Sequence, residues 1–294
     1  DCLLSRGLGD VYKRQVRTRF APDTGRNTQK GIRKPMADYR NYGARVPAAG
    51  SRADATIDPG LRAYMLKVYN LMAMGLAITG VAAYGLFMMA TSGAPVEGGA
   101  QVRPDLWLTP LGIAVFTSPL RWVLMLAPLA LVFFLSFRVH RMSVGAAQAT
   151  FWAYAALVGL SLSTIFLVFT QESIVQVFFI TAATFGALSL WGYTTKRDIS
   201  GWGSFLFMGL IGVVIAMVVN IFLASSALGF AVSVIGVLVF AGLTAYDTQR
   251  IKEMYYEGDD VLAGGRKAVM GALSLYLNFI NMFMMLLQLF GNRE

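Results

Sequence analysis

The chain has 294 residues, of which 56% are hydrophobic and only 14% charged, and its mean hydropathy is +0.58. These values exclude an ordinary soluble domain, and with several apolar runs of about 20 residues they predict an all-α integral membrane protein. The net charge of +9 would suggest nucleic-acid binding in a soluble protein, but 14 of the 25 Lys and Arg residues lie within the first 67 positions. We interpret this excess as a signal for membrane orientation and expect no nucleic-acid partner.

The N-terminal region differs from the rest of the chain in composition. Residues 1–60 are polar and basic and lack the apolar periodicity of a helix or a strand. We predict a disordered tail over 1–60 and a membrane domain over 61–294. The opening letters DCLLSRGLGDVYKRQ resemble translated sequencing adaptor, whereas MADYRNYG at Met36 has the form of a native start. We therefore expect residues 1–35 to take no part in the fold.

Seven segments are apolar over enough residues to cross about 30 Å of hydrocarbon. Their predicted bounds are 64–90, 122–138, 149–170, 173–194, 203–224, 228–248 and 268–290. Between the first two spans, residues 106–120 are too short and too often interrupted by proline to cross. We expect this segment to lie at the membrane interface or to re-enter.

Basic residues are divided unevenly between the two sides that seven alternating spans define. Beyond Lys67, eight Lys and Arg residues fall on the side of the N-terminus, and three fall on the opposite side. Since positively charged loops are retained in the cytoplasm, we predict a cytoplasmic N-terminus and a C-terminus on the other side. A last helix that re-enters would reverse only the second conclusion.

The sixth span carries no charge from Leu228 to Tyr246 and then presents Asp247. A stripe of small and polar residues leads into Asp247 at spacings of three and four, which is one face of a helix. The stripe consists of Gly229, Ser233, Gly236, Phe240 and Thr244. Small residues let helices approach closely, so we expect Asp247 to face inward, where a carboxylate is costly and a candidate for function. The alternative is an interfacial carboxylate paired with Arg250.

The last span also has a polar face. Ser274, Asn278, Asn281 and Gln288 follow one another at helical spacing within GALSLYLNFINMFMMLLQLF. Polar groups gain nothing from facing lipid, so this face should meet other helices or water. Ordinary hydrogen bonding between helices is the alternative, and Asn220 in the fifth span belongs to the same class.

Motifs of the common enzyme classes are missing from the sequence. It contains no HExxH, no GxSxG and no Walker A motif, and its single histidine, His140, lies in a predicted short loop. An intramembrane aspartyl protease would need a second aspartate opposite Asp247, but the last span offers Asn278 instead. We therefore expect neither catalysis nor a resident cofactor.

Three stretches together resemble the bacterial branch of the Bax-inhibitor family: WGYTTKRDISGWGSFLFMGLIG, AGLTAYDTQRIKEMYY and GALSLYLNFINMFMMLLQLFG. The resemblance covers residues 60 to 291. It implies a seven-helix fold whose last helix is wrapped by the other six and, in some members, a pH-sensitive calcium leak. In those members an aspartate of the YDTQ motif pairs with an aspartate of the last helix, and an arginine of the second helix latches the first aspartate when the pore is closed.

Carried over by position, the resemblance assigns Asp247 as the first aspartate and as a calcium ligand. The latching arginine matches Arg138 in FFLSFRVHRMS, with Arg141 as the alternative. The second aspartate is replaced by Asn278, because this sequence reads LYLNFIN. An amide is neutral at every working pH and resembles a protonated carboxyl group. We therefore expect a pH response that is weaker, or moved to lower pH, than in relatives with two aspartates.

Two functions follow from these observations and the resemblance. The first is a pH-sensitive calcium or cation leak of the bacterial inner membrane, with Asp247, Asn278 and Arg138 as the gating residues. Asn281, Thr244, Asn220 and Arg141 would give polar support. The second is a non-conducting regulator of a membrane-anchored AAA protease that acts through the tail or a helix face. Membrane lipids, the calcium ion and this protease are the expected partners.

Overall fold

The computed structural model describes residues 58–293. The predicted tail therefore lies outside the described residues except for its last three positions, which cap and begin the first helix. In chain order the elements are α1 (Pro59–Ala90), β1 (Thr91–Ser92), β2 (Ala100–Arg103), β3 (Leu106–Leu108), α2 (Pro110–Phe116), α3 (Leu120–Arg138), α4 (Val144–Leu162), α5 (Ile165–Val168), α6 (Gln171–Thr194), α7 (Trp202–Leu223), α8 (Ser226–Glu253) and α9 (Val261–Phe290).

The prediction of seven membrane spans is confirmed. Within the described residues, seven helical segments are long and apolar enough to cross a membrane, with α4 and α5 forming one of them. Spans begin earlier than hydropathy predicted, for example at Val144 and Val261, where polar side chains cap them. Ser143 accepts a hydrogen bond from the Ala146 backbone N–H, and Asp260 accepts one from Ala263. Such polar first turns extend beyond the apolar run that defines a span.

The segment between the first two spans does not cross, as predicted, but it contains a small sheet that the sequence did not predict. Strands β1 and β2 both pair antiparallel with β3, with Thr91 opposite Leu108 and Gln101 opposite Trp107. The helix α2 that follows has only seven residues. Strands of two to four residues show too little alternation of apolar and polar positions to be recognised in a sequence.

Helix α9 forms the centre of the bundle. In the most apolar 18-residue stretch of α9, 67% of the residues are buried. In the corresponding stretch of every other described span, the share is at most 39%. It packs principally against α8, α1, α6 and α4. Helices α3 and α7 lie outside this ring, against α4 and α8, and most of their side chains remain exposed. The prediction that the last helix is central is therefore confirmed, and four helices supply its main packing.

One end of the bundle, here called the basic end, contains the start of α1 and three connections: 139–143, 195–201 and 254–260. The side-chain amide of Gln249 ties α8 to the connection 195–201, because its Nε2 donates to the Arg197 carbonyl at 2.8 Å and its Oε1 accepts from the Ile199 N–H at 2.9 Å. The rings of Tyr64 and Tyr255 lie 5.6 Å apart, which places the start of α1 beside the end of α8. The eight basic residues beyond Lys67 that were predicted to share one side all lie here.

The opposite end, here called the sheet end, carries the three strands, α5 and the residues that follow α9. The Thr170 N–H donates to the Asn292 carbonyl at 3.0 Å, and Phe169 forms a β-bridge with Arg293. Helix α9 therefore crosses the whole bundle and ends at the sheet end. A last helix that turns back is excluded.

Candidate functional site

Asp247 lies on α8 near the basic end and faces α9, as its helical stripe predicted. The residue is 9% exposed. Its Oδ2 accepts a hydrogen bond from Ser274 Oγ at 2.6 Å and another from Asn278 Nδ2 at 2.7 Å. Ser274 and Asn278 are four residues apart on α9, so both donors reach the same oxygen from adjacent turns. Hydrogen bonds to a charged acceptor are stronger than neutral ones, so this cluster joins α8 firmly to α9.

The other carboxylate oxygen of Asp247, Oδ1, has no hydrogen-bond partner within residues 58–293. Arg250 lies one turn further along α8, yet it forms no ion pair with Asp247. The ion pair found within the described residues joins Lys267 to Asp259. The carboxylate thus keeps one oxygen available for a ligand.

Two cavities meet at this carboxylate. The first, called the basic groove, has a volume of about 540 Å³ and lies between α8 and α9 at the basic end. It is lined by Val139, Asp247, Arg250, Ile251, Met254, Ala263, Arg266, Lys267, Met270, Gly271 and Ser274. The second, called the central cavity, has a volume of about 520 Å³ and lies between α7, α8 and α9. It is lined by Gly203, Ser204, Phe207, Leu210, Phe240, Leu243, Tyr246, Asp247, Arg250, Ser274, Leu277, Asn278 and Asn281. Both volumes fall within the range of small-ligand sites, about 300–1,000 Å³.

Comparison with known proteins identifies the family. The family model described as "Inhibitor of apoptosis-promoting Bax1" matches residues 61–294. The chain belongs to the Bax inhibitor family. It is 45% identical to the inner membrane protein YbhL of Escherichia coli strain K12 over 248 residues, which cover 83% of this chain and 98% of YbhL. A Caulobacter vibrioides protein is 47% identical over 262 residues, which cover 88% of this chain and all of that protein. The Rickettsia prowazekii protein RP147 is 46% identical over 241 residues, which cover 81% of this chain and 93% of RP147.

In this Bax inhibitor family protein, the central cavity offers mainly oxygen ligands to a cation. Asp247 carries a carboxylate, and Asn278 and Asn281 carry amide oxygens, the Asn281 Nδ2 being engaged with the Leu277 carbonyl at 2.8 Å. Calcium prefers carboxylate, carbonyl and water oxygens. Among the residues that the structure describes, no three His, Cys, Asp or Glu side chains form a cluster. A cation bound here would therefore combine one carboxylate with neutral oxygens and water, which favours weak and reversible binding.

Four predicted residues of this family member lie away from the carboxylate. Thr244 is fully buried and donates to the Phe240 carbonyl at 2.7 Å, so its hydroxyl supports α8 itself. Asn220 accepts a hydrogen bond from the Ser225 N–H at 3.1 Å at the turn between α7 and α8. Arg138 and Arg141 are exposed at the end of α3. The structure does not bring Arg138 into contact with Asp247, although the next residue, Val139, lines the basic groove.

Sequence reasoning missed two features of the site. Sequence analysis placed Ser274 on the polar stripe of the last span but did not predict that it donates a hydrogen bond to Asp247. Its position four residues before Asn278, on the same helix face, could have indicated this contact. Arg250, Arg266 and Lys267 were interpreted as an orientation signal, and Arg250 also as a possible ion-pair partner of Asp247, but not as the lining of one groove. Its convergence into one groove depends on how α8 and α9 pack, which no local pattern encodes.

A hydroxyl chain and a close helix contact hold α8 in position beside the site. Thr248 Oγ1 lies 2.9 Å from Ser189 Oγ, which lies 2.5 Å from the Tyr69 hydroxyl, so the chain joins α8, α6 and α1. Nearby, Gly192 of α6 packs directly against the backbone of Ala245. These contacts fix α8 only a few residues from Asp247.

Proposed function

We propose that this Bax inhibitor family protein is a cation leak of the bacterial inner membrane that conducts calcium down its gradient and uses Asp247 as the charged ligand. The main support is a buried carboxylate with one unpaired oxygen where two cavities meet. A carboxylate at the bilayer centre costs about 2.5–3.5 kcal/mol on insertion scales, and less near an interface. A charge in such a place is by default functional. The inner-membrane location is supported by the Escherichia coli relative, the inner membrane protein YbhL.

The orientation we propose places the basic end in the cytoplasm. Beyond Lys67, eight Lys and Arg residues lie at this end, against three at the sheet end. Positive charge in short connections is retained on the cytoplasmic side during insertion. The central cavity and Asp247 would then be reached from the cytoplasm.

The described conformation corresponds in this proposal to the closed leak. The lining of the central cavity extends along α9 only as far as Asn281. Further toward the sheet end, Met282 and Met285 are 0% and 4% exposed, and Met285 packs closely against Gly236 of α8. Conduction would require α9 to shift away from α8 at these positions. Breaking the hydrogen bonds from Ser274 and Asn278 to Asp247 is the first step of such a shift.

The gate in this proposal is a competition between cations for Asp247. Arg250 lines both cavities, so a rotation of its side chain would place the guanidinium against the carboxylate and exclude calcium. Arg138, which the family resemblance implies in this role, would have to move from its exposed position. Because Asn278 cannot ionise, the pH response should be weaker, or lie at lower pH, than in relatives with two aspartates.

The test is calcium flux into liposomes that contain the full chain, between about pH 5 and pH 8, where folded proteins are generally most stable. We expect the native protein to conduct and Asp247→Asn to change the rate or its pH dependence. Asp105→Asn is the matched control, because it removes an exposed carboxylate at the sheet end. Flux no greater than through empty liposomes at every pH would contradict the proposal and would agree with the alternative of a non-conducting regulator of a membrane-anchored AAA protease.

A further inference from the structure

The basic groove carries more positive charge than the proposed gate at Arg250 requires. Arg250, Arg266 and Lys267 line it, and Asp247 is the acidic residue among its lining. Lys267 is already engaged, since its Nζ lies 2.6 Å from Asp259 Oδ2 and 3.1 Å from the Met254 carbonyl. A site with this excess of positive charge favours an anion.

Arg250 is the unsatisfied member of this group. Its side chain is exposed and forms no hydrogen bond or ion pair within residues 58–293. Arg266 stands across the groove on α9, where its Nε donates to the Leu262 carbonyl at 3.2 Å. Guanidinium groups present parallel N–H donors that match the oxygens of a phosphate, so two arginines on facing helices form a suitable clamp.

The rest of the groove is apolar. Its walls are made by Ile251 and Met254 of α8, by Ala263 and Met270 of α9, and by Val139 after α3. Methionine side chains are flexible and fill irregular space, so they adapt to an alkyl chain. The groove therefore combines a cationic clamp with an apolar trough, at the end of the bundle where lipid headgroups meet water.

We infer that the basic groove binds an anionic phospholipid, with the phosphate between Arg250 and Arg266 and an acyl chain along Ile251, Met254 and Met270. Charge complementarity selects an anionic headgroup, and the apolar walls select a ligand that carries a hydrocarbon chain. Asp247 at the inner end repels the phosphate and so sets how deeply the headgroup enters. The site does not depend on ion conduction, so it would stand even if the proposed leak failed.

The experiment is native mass spectrometry of the full chain, released from detergent that contains equal amounts of phosphatidylglycerol and phosphatidylcholine. We expect the native protein to retain phosphatidylglycerol in preference. Arg250→Gln and Arg266→Gln should each weaken its retention by about fivefold, the effect of one basic residue near an anionic surface. Ala263→Phe should also reduce retention, because it fills the trough while the charges remain.

Lys196→Gln is the matched control, because Lys196 is exposed at the same end but does not line the groove. Its retention of phosphatidylglycerol should equal that of the native protein. An equal loss of retention in Lys196→Gln and Arg250→Gln would mean unspecific surface attraction and would overturn the assignment. Undiminished retention in a variant that carries both Arg250→Gln and Arg266→Gln would overturn it as well. Displacement of the lipid by inorganic phosphate alone would assign the groove to a free anion and likewise reject a lipid site.

Discussion

Asn278 of α9 donates a hydrogen bond from Nδ2 to Oδ2 of Asp247 on α8 at 2.7 Å, so an amide occupies the place where the family resemblance implies a second carboxylate. The amide supplies a donor at every pH. Contact between the two helices at this point therefore does not require that a proton be bound.

Asn278→Asp should make the response to pH stronger. Two carboxylates at this distance cannot both be ionised without strong repulsion, so one of them takes up a proton at higher pH than an isolated carboxyl group would. We expect the midpoint of the pH dependence of calcium flux to move upward in liposomes with the full chain. The same measurement on Asn220→Asp, which introduces a carboxylate far from Asp247, should leave the midpoint unchanged. A pH profile identical to that of the native protein in Asn278→Asp would sink the idea.

Ser274→Ala should weaken the contact between α8 and α9. The variant removes the 2.6 Å hydrogen bond to Asp247. Hydrogen bonds between membrane helices average about 0.6 kcal/mol and reach about 1.7 kcal/mol. Because the acceptor is a carboxylate, we expect a loss of unfolding free energy near the upper value, measured by denaturation with sodium dodecyl sulfate.

Ser204→Ala is the control for that measurement. Ser204 lines the same central cavity but forms no side-chain hydrogen bond within the described residues. Its replacement should leave the unfolding free energy nearly unchanged. Equal stabilities of the two variants would show that the hydrogen bond to Asp247 contributes nothing measurable.

Gly192→Ala should separate α6 from α8. A Cβ at Gly192 would lie 3.0 Å from the Ala245 Cα and closer still to the Ala245 carbonyl oxygen, so the backbones must shift. We expect a loss of about 1–3 kcal/mol of unfolding free energy, the usual cost of overpacking. Gly186→Ala, on the same helix, meets no atom within 4 Å and should be neutral or stabilising by up to about 1 kcal/mol. The prediction fails if both variants unfold alike.

Much of the fold could be predicted from local pattern. The apolar runs that end near residues 90, 138 and 194 predicted helices that the structure ends at Ala90, Arg138 and Thr194. The short sheet was not predicted, because the pairing of β1 and β2 with β3 depends on residues that only the folded chain brings together. The central position of α9 came from the family resemblance, and only packing revealed that four helices, rather than six, supply its main contacts.

The sequence by itself determined the membrane class, the seven spans and the inward direction of Asp247, since hydrocarbon thickness and helical periodicity act on each segment separately. Only the tertiary structure decided which groups meet that carboxylate. It placed Ser274 and Asn278 on one oxygen, left Arg138 exposed and gathered Arg250 and Arg266 around one groove. The physical reason is that hydrogen bonds and charge between helices depend on their relative rotation and depth, which are fixed by packing around α9 and not by the pattern within any one helix.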